Sequence, residues 1–390
     1  MKRKALLGVL VTVAVALLLN VPVTLPPRIG EIDFRAYWSA SYLLWHNENF
    51  ADPARLLRIE QTHTGWHEDY PMVAWNPPWL FVLLLPYALV PFARAVWLWL
   101  LTSIVLVFVS ALLLWQRDAT NQSARRHVWI PTLAGFVFSP TLTALIAGQV
   151  NILVLFGLAG YLFFAVRRRD GMAGALLALT TVKPQLIYVT VPILLLDSWR
   201  ASRLRVLAGF AIVLVGLSIV FLVMRPMALG DSVTTIVAGR LLDWETPTLG
   251  GVLAATLGWQ WAKLMGLAIM PLAVLAWWKS VGRLDTRTLV DVTLLASVIT
   301  APFGWSYDFV VLLVPLMRVI AWIVDGALHF WDALLIVLVL LASNMFAFYE
   351  RVLTPSEIYF VWMPLVVAGV YTYAFLRRTD AVGELHVSNT

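Results

Sequence analysis

Long apolar runs, broken at intervals by short polar turns, fill this chain almost from end to end. At roughly 20 residues per membrane crossing, the pattern predicts spans near residues 94–115, 129–147, 152–166, 206–224, 258–278, 288–303, 308–324, 331–349 and 358–376. An earlier apolar run, Ala5–Leu19, follows Lys2-Arg-Lys4. It has the outline of a secretory leader, but Val21-Pro-Val-Thr-Leu-Pro-Pro27 offers no small-x-small cleavage site. An uncleaved first span is therefore expected, which makes about ten crossings.

Two runs break the pattern. Residues 78–91 are short for a span, and residues 171–196 are interrupted by Lys183-Pro184. The longest polar interruption is residues 25–78. It gathers Glu31, Asp33, Glu48, Asp52, Glu60, Glu68 and Asp69 with His46, His63 and His67. Within it Phe34, Tyr37, Trp38, Tyr42 and Trp45 recur at helical spacing, which predicts an amphipathic helix lying on the membrane surface. Asp52-Pro53 predicts the N-cap and first residue of a second helix running to about His63. Pro71 and Pro77-Pro78 then return the chain to the membrane.

Composition sharpens this picture. The 390 residues are 61% hydrophobic and 13% charged, with a mean hydropathy of +0.83. Soluble domains run nearer 45–50% apolar and about 25% charged. The fold class is an all-α polytopic membrane protein, one transmembrane domain over residues 1–378 with a short polar tail, 379–390. The pI of about 9.6 does not indicate nucleic acid, because the basic residues sit in short clusters between apolar runs. There is no cysteine, so disulfides are excluded. Nineteen tryptophans suit a chain with many water–lipid boundaries.

Loop charge orients the bundle. Arg117, Arg125 and Arg126, then Arg167–Arg169, then Arg200, Arg203 and Arg205, then Lys279, Arg283 and Arg287, and last Arg377-Arg378 fall on the side of Lys2-Arg-Lys4, provided that 171–196 dips in and returns. Most of the acids then fall on the other side, in 25–78, 225–257, 303–307 and 350–357. Positive clusters stay in the cytoplasm. The expectation is a multi-pass cell-membrane protein with cytoplasmic termini and an extracytoplasmic working face. A re-entrant 171–196 needs protein or water around its broken backbone, hence a polar cavity near Lys183.

Candidate chemistry follows from where charge is kept. Asp33 either caps the helix that starts at Phe34 or serves as a general base on a loop facing the membrane. Lys183 lies near the middle of an apolar run, where a charge costs roughly 2.5–3.5 kcal/mol. With Pro184 and Gln185 at a helix break, it reads as a site for a lipid phosphate or pyrophosphate. Tyr37, Tyr70 and Asn76 could hydrogen-bond a sugar. Gln149 and Asn151, in Gly148-Gln-Val-Asn151, share the outer face with Asp33. In Gly304-Trp-Ser-Tyr-Asp308, Tyr307 is a candidate substrate contact, and Asp308 is either a cap or a second acid/base group. Glu31-x-Asp33 supplies too few carboxylates for a divalent ion, so no metal and no other cofactor is expected.

Taken in order, Asp33-Phe34-x-x-Tyr37, Asn76-Pro77-Pro78, Gly148-Gln149-x-Asn151, Lys183-Pro184 and Pro302-x-x-Trp305 resemble glycosyltransferase family 87, the polyprenol-phosphate-mannose-dependent mannosyltransferases with the glycosyltransferase C fold. The resemblance runs from about residue 5 to residue 320; beyond it the spans match only in being apolar. It implies a metal-independent inverting enzyme. The donor would be a sugar on a polyprenyl monophosphate, the acceptor a glycolipid or glycan on the outer face, and the loop aspartate, here Asp33, the base. Other members carry Trp-x-His-His at the late turn where this chain has Trp305-Ser-Tyr307-Asp308, so any histidine role is lost or passes to Tyr307 or Asp308. Two other readings compete: a flippase of lipid-linked sugars, which also uses broken helices and a buried lysine, and an assembly subunit without activity. No repeated halves of the kind common in transporters are visible.

Overall fold

The computed structural model describes residues 29–120, 126–226, 230, 241–280, 284–354 and 356–378. The first predicted span and the polar tail lie outside these residues. The described chain is helical, in this order: α1 (Phe34–Trp45), α2 (Pro53–Thr64), α3 (Trp79–Ala88), α4 (Phe92–Asp118), α5 (Trp129–Val137), α6 (Ser139–Ala147), α7 (Asn151–Val166), α8 (Asp170–Leu179), α9 (Thr190–Arg200), α10 (Leu204–Met224), α11 (Leu249–Leu257), α12 (Ile269–Ser280), α13 (Thr286–Thr300), α14 (Leu313–Val324), α15 (Phe330–Leu353) and α16 (Trp362–Arg377). Single-turn 3₁₀ segments precede α9 and α11, and longer ones precede α12, α14 and α16.

Among the described residues, six helices are long and apolar enough to cross a membrane, and the α5–α6 pair makes a seventh if counted as one broken span, bent by 66°. Of the spans expected from hydropathy, 152–166 and 288–303 fall short. Their helices, α7 and α13, have 16 and 15 residues, about 24 Å and 22 Å of rise. Both are largely buried by other helices, so bilayer thickness does not dictate their length. The bend at Phe138 follows from Ser139-Pro140. The freed Ser139 N–H donates to Asn344 Oδ1 of α15 at 2.7 Å, so the break is satisfied by protein.

Residues 171–196 do turn back. Arg203, just after α9, donates to the Ala165 carbonyl at 2.9 Å and pairs with Asp170 at the start of α8 at 2.5 Å. The two ends of the segment therefore meet, while its middle reaches the opposite end of the bundle. There Asn76 Nδ2 donates to the Val182 carbonyl at 2.9 Å, Trp79 Nε1 to Thr181 Oγ1 at 3.1 Å, and Val189 N–H to Ser297 Oγ at 3.2 Å. Those bonds support a backbone that Pro184 cannot hold in a helix. With α8 and α9 folded into a hairpin, the described members of the arginine and lysine clusters fall at one end. The turns at 148–150, 180–189 and 301–308 fall at the other.

The basic end is pinned from within. Arg287 of α13 donates to both oxygens of Asp118 at 3.0 and 2.8 Å and to Asp291 at 2.6 Å, and Arg318 of α14 reaches Asp291 at 3.0 Å. Helix α1 corrects an expectation. It forms where predicted, but ten of its twelve residues are buried, against α3 and α4. It is a core element, not a helix resting on the membrane surface. Phe34 stacks on Trp99 at 5.6 Å, and Trp38 Nε1 donates to the Tyr87 carbonyl at 3.0 Å.

Candidate active site

Asp33 is placed by backbone before any side chain acts. The Gly30 and Asp33 N–H groups donate to the carbonyls of Ile146 and Ala147 at 2.7 and 2.8 Å. Gly148 closes α6 with φ +72°, and a Cβ there would lie 2.3 Å from the Gly30 carbonyl oxygen. Only glycine lets the two segments touch. Gly148→Ala is expected to separate them, lowering stability by about 2 kcal/mol or more and most of the activity with it. A thermal melt read beside an activity assay checks this.

The capping alternative for Asp33 does not hold: its side chain makes no capping bond. Instead Gln149 Nε2 donates to Asp33 Oδ2 at 2.6 Å, and the Tyr37 hydroxyl donates to Gln149 Oε1 at 3.1 Å. This relay fixes the Gln149 amide and leaves Oδ1 of Asp33 without a protein partner. Burial pushes the Asp33 carboxyl above the usual carboxylate range; the Gln149 bond and the Lys183 charge oppose that shift. Asp52, by contrast, is a cap, accepting from the Ala54 and Arg55 N–H groups at 3.0 and 3.4 Å.

Lys183 stands at the hairpin tip, 3% exposed. Its ammonium donates to Asp308 Oδ1 at 2.6 Å and lies 5.1 Å from the Tyr307 ring centre. Asp308, fully buried, also accepts from Asn151 Nδ2 at 3.1 Å and from the Trp305 N–H at 3.1 Å. Its oxygens are taken up within the protein and it lines neither cavity described below. Asn151 sits behind the same wall, its amide also held by the Tyr307 carbonyl at 2.7 Å. The geometry makes Asp308 the counter-ion that holds Lys183 in place, with Asn151 bracing it.

Two chambers meet at Asp33, Trp305 and Tyr307. The narrow one, about 90 Å³, is lined by Lys183, Gln185, Gln149, Tyr37, Trp75 and Asn76, among others. The wide one, about 780 Å³, is lined by Thr143, Ile146, Trp244, Glu245, Arg351 and Glu357, among others. A volume of roughly 300–1,000 Å³ is usual for a ligand pocket. Of the sequence-predicted residues, Asp33, Tyr37, Asn76, Gln149, Lys183, Gln185 and Tyr307 converge here. Tyr70 does not: it is 56% exposed and lines neither chamber. Glu31 pairs with Arg35 at 3.6 Å, away from Asp33, and no group of three metal-ligating side chains occurs among the described residues.

Sequence reasoning missed the wide chamber's wall. Arg351 donates to Glu357 at 2.7 Å and to the Ser306 hydroxyl, and Glu357 accepts from the Ser306 N–H at 2.8 Å. The signal was present as charge at 350–357, between two spans. Glu245, in the loop that carries Arg225 and Arg240, lines the same chamber; Arg225 reaches the Asn47 carbonyl at 3.1 Å, and Arg240 lies outside the described residues.

The roof of the narrow chamber, residues 72–76, hangs partly on Glu60. That carboxylate is buried and accepts from the Met72 N–H at 2.9 Å. Burial raises it from 4.5 to about 7, against the pull of that bond and of Arg35. The fold therefore favours the protonated form. This contribution to stability is full below about 4.5 and is lost as pH rises through about 7. Glu60→Gln, which keeps an acceptor for Met72, is expected to stabilise the protein at pH 8.5, by up to roughly 3 kcal/mol, and to change little at pH 4.5. Melting curves at the two pH values test it.

Residues 75–315 match the family model of Glycosyltransferase family 87. No curated protein and no solved structure matches. The matched stretch contains Asn76, Gln149, Asn151, Lys183, Tyr307 and Asp308; Asp33 and Tyr37 precede it and join the others through Gln149.

Proposed function

The chain belongs to glycosyltransferase family 87, and on that premise we propose that this membrane glycosyltransferase moves a sugar, mannose or another hexose or pentose, from a polyprenyl phosphate to a glycolipid or glycan acceptor on the extracytoplasmic face. Asp33 is the general base. Its free oxygen removes the proton of the acceptor hydroxyl as that oxygen bonds to the anomeric carbon. The bond from that carbon to the phosphate oxygen breaks on the far side, and the configuration inverts. The electron pair leaves with the polyprenyl phosphate, whose charge is met by the Lys183 ammonium. Protonated Asp33 returns its proton to water.

One observation carries this reading above all: a carboxylate with a free oxygen and a buried ammonium line the same narrow chamber, and that chamber joins a wide one at the carboxylate. Base and leaving-group cation are thus on hand together, and a neighbouring space has room for sugars. Purified protein with synthetic polyprenyl-phosphate-mannose and a panel of neutral glycolipid acceptors provides the test. Transfer with inversion supports the proposal. Translocation of the lipid-linked sugar across a vesicle bilayer, without transfer, would replace it with the flippase reading.

A further inference from the structure

Trp75 lines the narrow chamber, and its indole Nε1 is buried with no hydrogen-bond partner. Buried N–H groups without partners are rare, and one on a residue that lines a cavity needs an explanation. The ring is fixed on both sides. It meets Trp244 edge-on at 5.5 Å, and the next residue, Asn76, is tied to the Val182 carbonyl at 2.9 Å, one residue before Lys183. The indole is thereby placed beside the hairpin tip.

Three other donors of this chamber are already engaged. The Gln149 amide gives a bond to Asp33, the Tyr37 hydroxyl gives one to Gln149, and the Asn76 amide gives one to Val182. Among the donors with capacity left are the Gln185 amide and the Tyr307 hydroxyl on the same walls, the Lys183 ammonium, which has three N–H bonds and gives one to Asp308, and the indole, which is the one buried without a partner. A space of about 90 Å³, with an unspent cation and an unspent neutral donor on its walls, is suited to a small oxyanion. It is too small for a full lipid-linked sugar, which must extend past Asp33 into the wide chamber.

We propose that Trp75 is a second phosphate ligand, its Nε1–H donating to a non-bridging oxygen of the polyprenyl-phosphate donor beside the Lys183 ammonium. This rests on the reading above and adds a residue to it. The bond strengthens as negative charge collects on the departing phosphate, so Trp75 acts on the leaving group and not on the sugar. A water bound to the indole would not distinguish a lipid phosphate from a lipid alcohol; a phosphate oxygen does.

The test uses the full-length protein in detergent and two probes, undecaprenyl phosphate and undecaprenol, with affinities read by native mass spectrometry. Wild type is expected to prefer the phosphate. Trp75→Phe, and replacement of Trp75 by 3-benzothienylalanine, which keeps the bicyclic shape and lacks the N–H, are each expected to weaken phosphate binding roughly tenfold and to leave undecaprenol binding unchanged. The benzothienyl variant guards against a repacked ring. If both variants keep the wild-type preference while Lys183→Met loses it, the role of Trp75 is overturned and the phosphate chamber stands. If wild type itself shows no preference, the chamber's reading fails and this one with it.

Discussion

Asp33→Asn is expected to lower kcat by about two to four orders of magnitude, the usual contribution of a positioned general base, with the melting temperature almost unchanged. The amide is close to the carboxylate in shape, and its oxygen can still accept from Gln149, whose bond at 2.6 Å orients the side chain. What it loses is the capacity to take a proton. In wild type the carboxyl lies above the ordinary aspartate range because it is buried, with the Gln149 bond and Lys183 pulling the other way. A base works only when deprotonated. Activity should therefore fall on the acid side at a higher pH than an ordinary aspartate allows, and the residual activity of Asp33→Asn should lose that acid limb. A variant that keeps wild-type kcat, or the same acid limb, would remove Asp33 from the chemistry.

The second large effect concerns the ion pair behind it. Lys183→Met leaves Asp308 fully buried without its cation, and Asp308→Asn leaves Lys183 without its anion. Removing one partner of such a pair typically costs about 3–5 kcal/mol, whereas replacing both can be neutral. The double variant Lys183→Met/Asp308→Asn is expected to melt near wild type while transfer stays at the level of Lys183→Met. Stability and activity then separate. The pair supports the hairpin tip, but only the ammonium opens on the narrow chamber. Transfer restored in the double variant would reduce Lys183 to a structural residue.

Much of the fold was legible because membrane helices announce themselves by length and apolarity. The re-entrant segment was readable too, from charge parity: only a hairpin at Lys183-Pro184 puts the basic clusters on one side. Burial within the bundle was harder to see. Helix α1 carries aromatic residues at helical spacing whether it rests on lipid or is sheathed by protein, and nothing local distinguishes the two. For the site, charge in an apolar setting pointed to Asp33 and Lys183. The role of Asp308 was ambiguous because its partner lies 125 positions earlier. Trp75 stands in a proline-rich turn with nothing in the sequence to mark it; what singles it out is a missing bond, which no sequence displays. Tyr70, two residues from the chamber roof, shows the reverse: chain proximity that the fold does not convert into contact.

The hairpin of α8 and α9 carries a topological consequence. It adds no net crossing, so the orientation of every later helix depends on one reversal. A lineage that straightened this segment into an ordinary span would invert α10 through α16 and carry the turn bearing Trp305, Tyr307 and Asp308 to the far leaflet, away from Asp33. No gradual path of point substitutions leads through such an intermediate with the pocket intact. The kink at Lys183-Pro184 is therefore a constraint of parity as well as of chemistry.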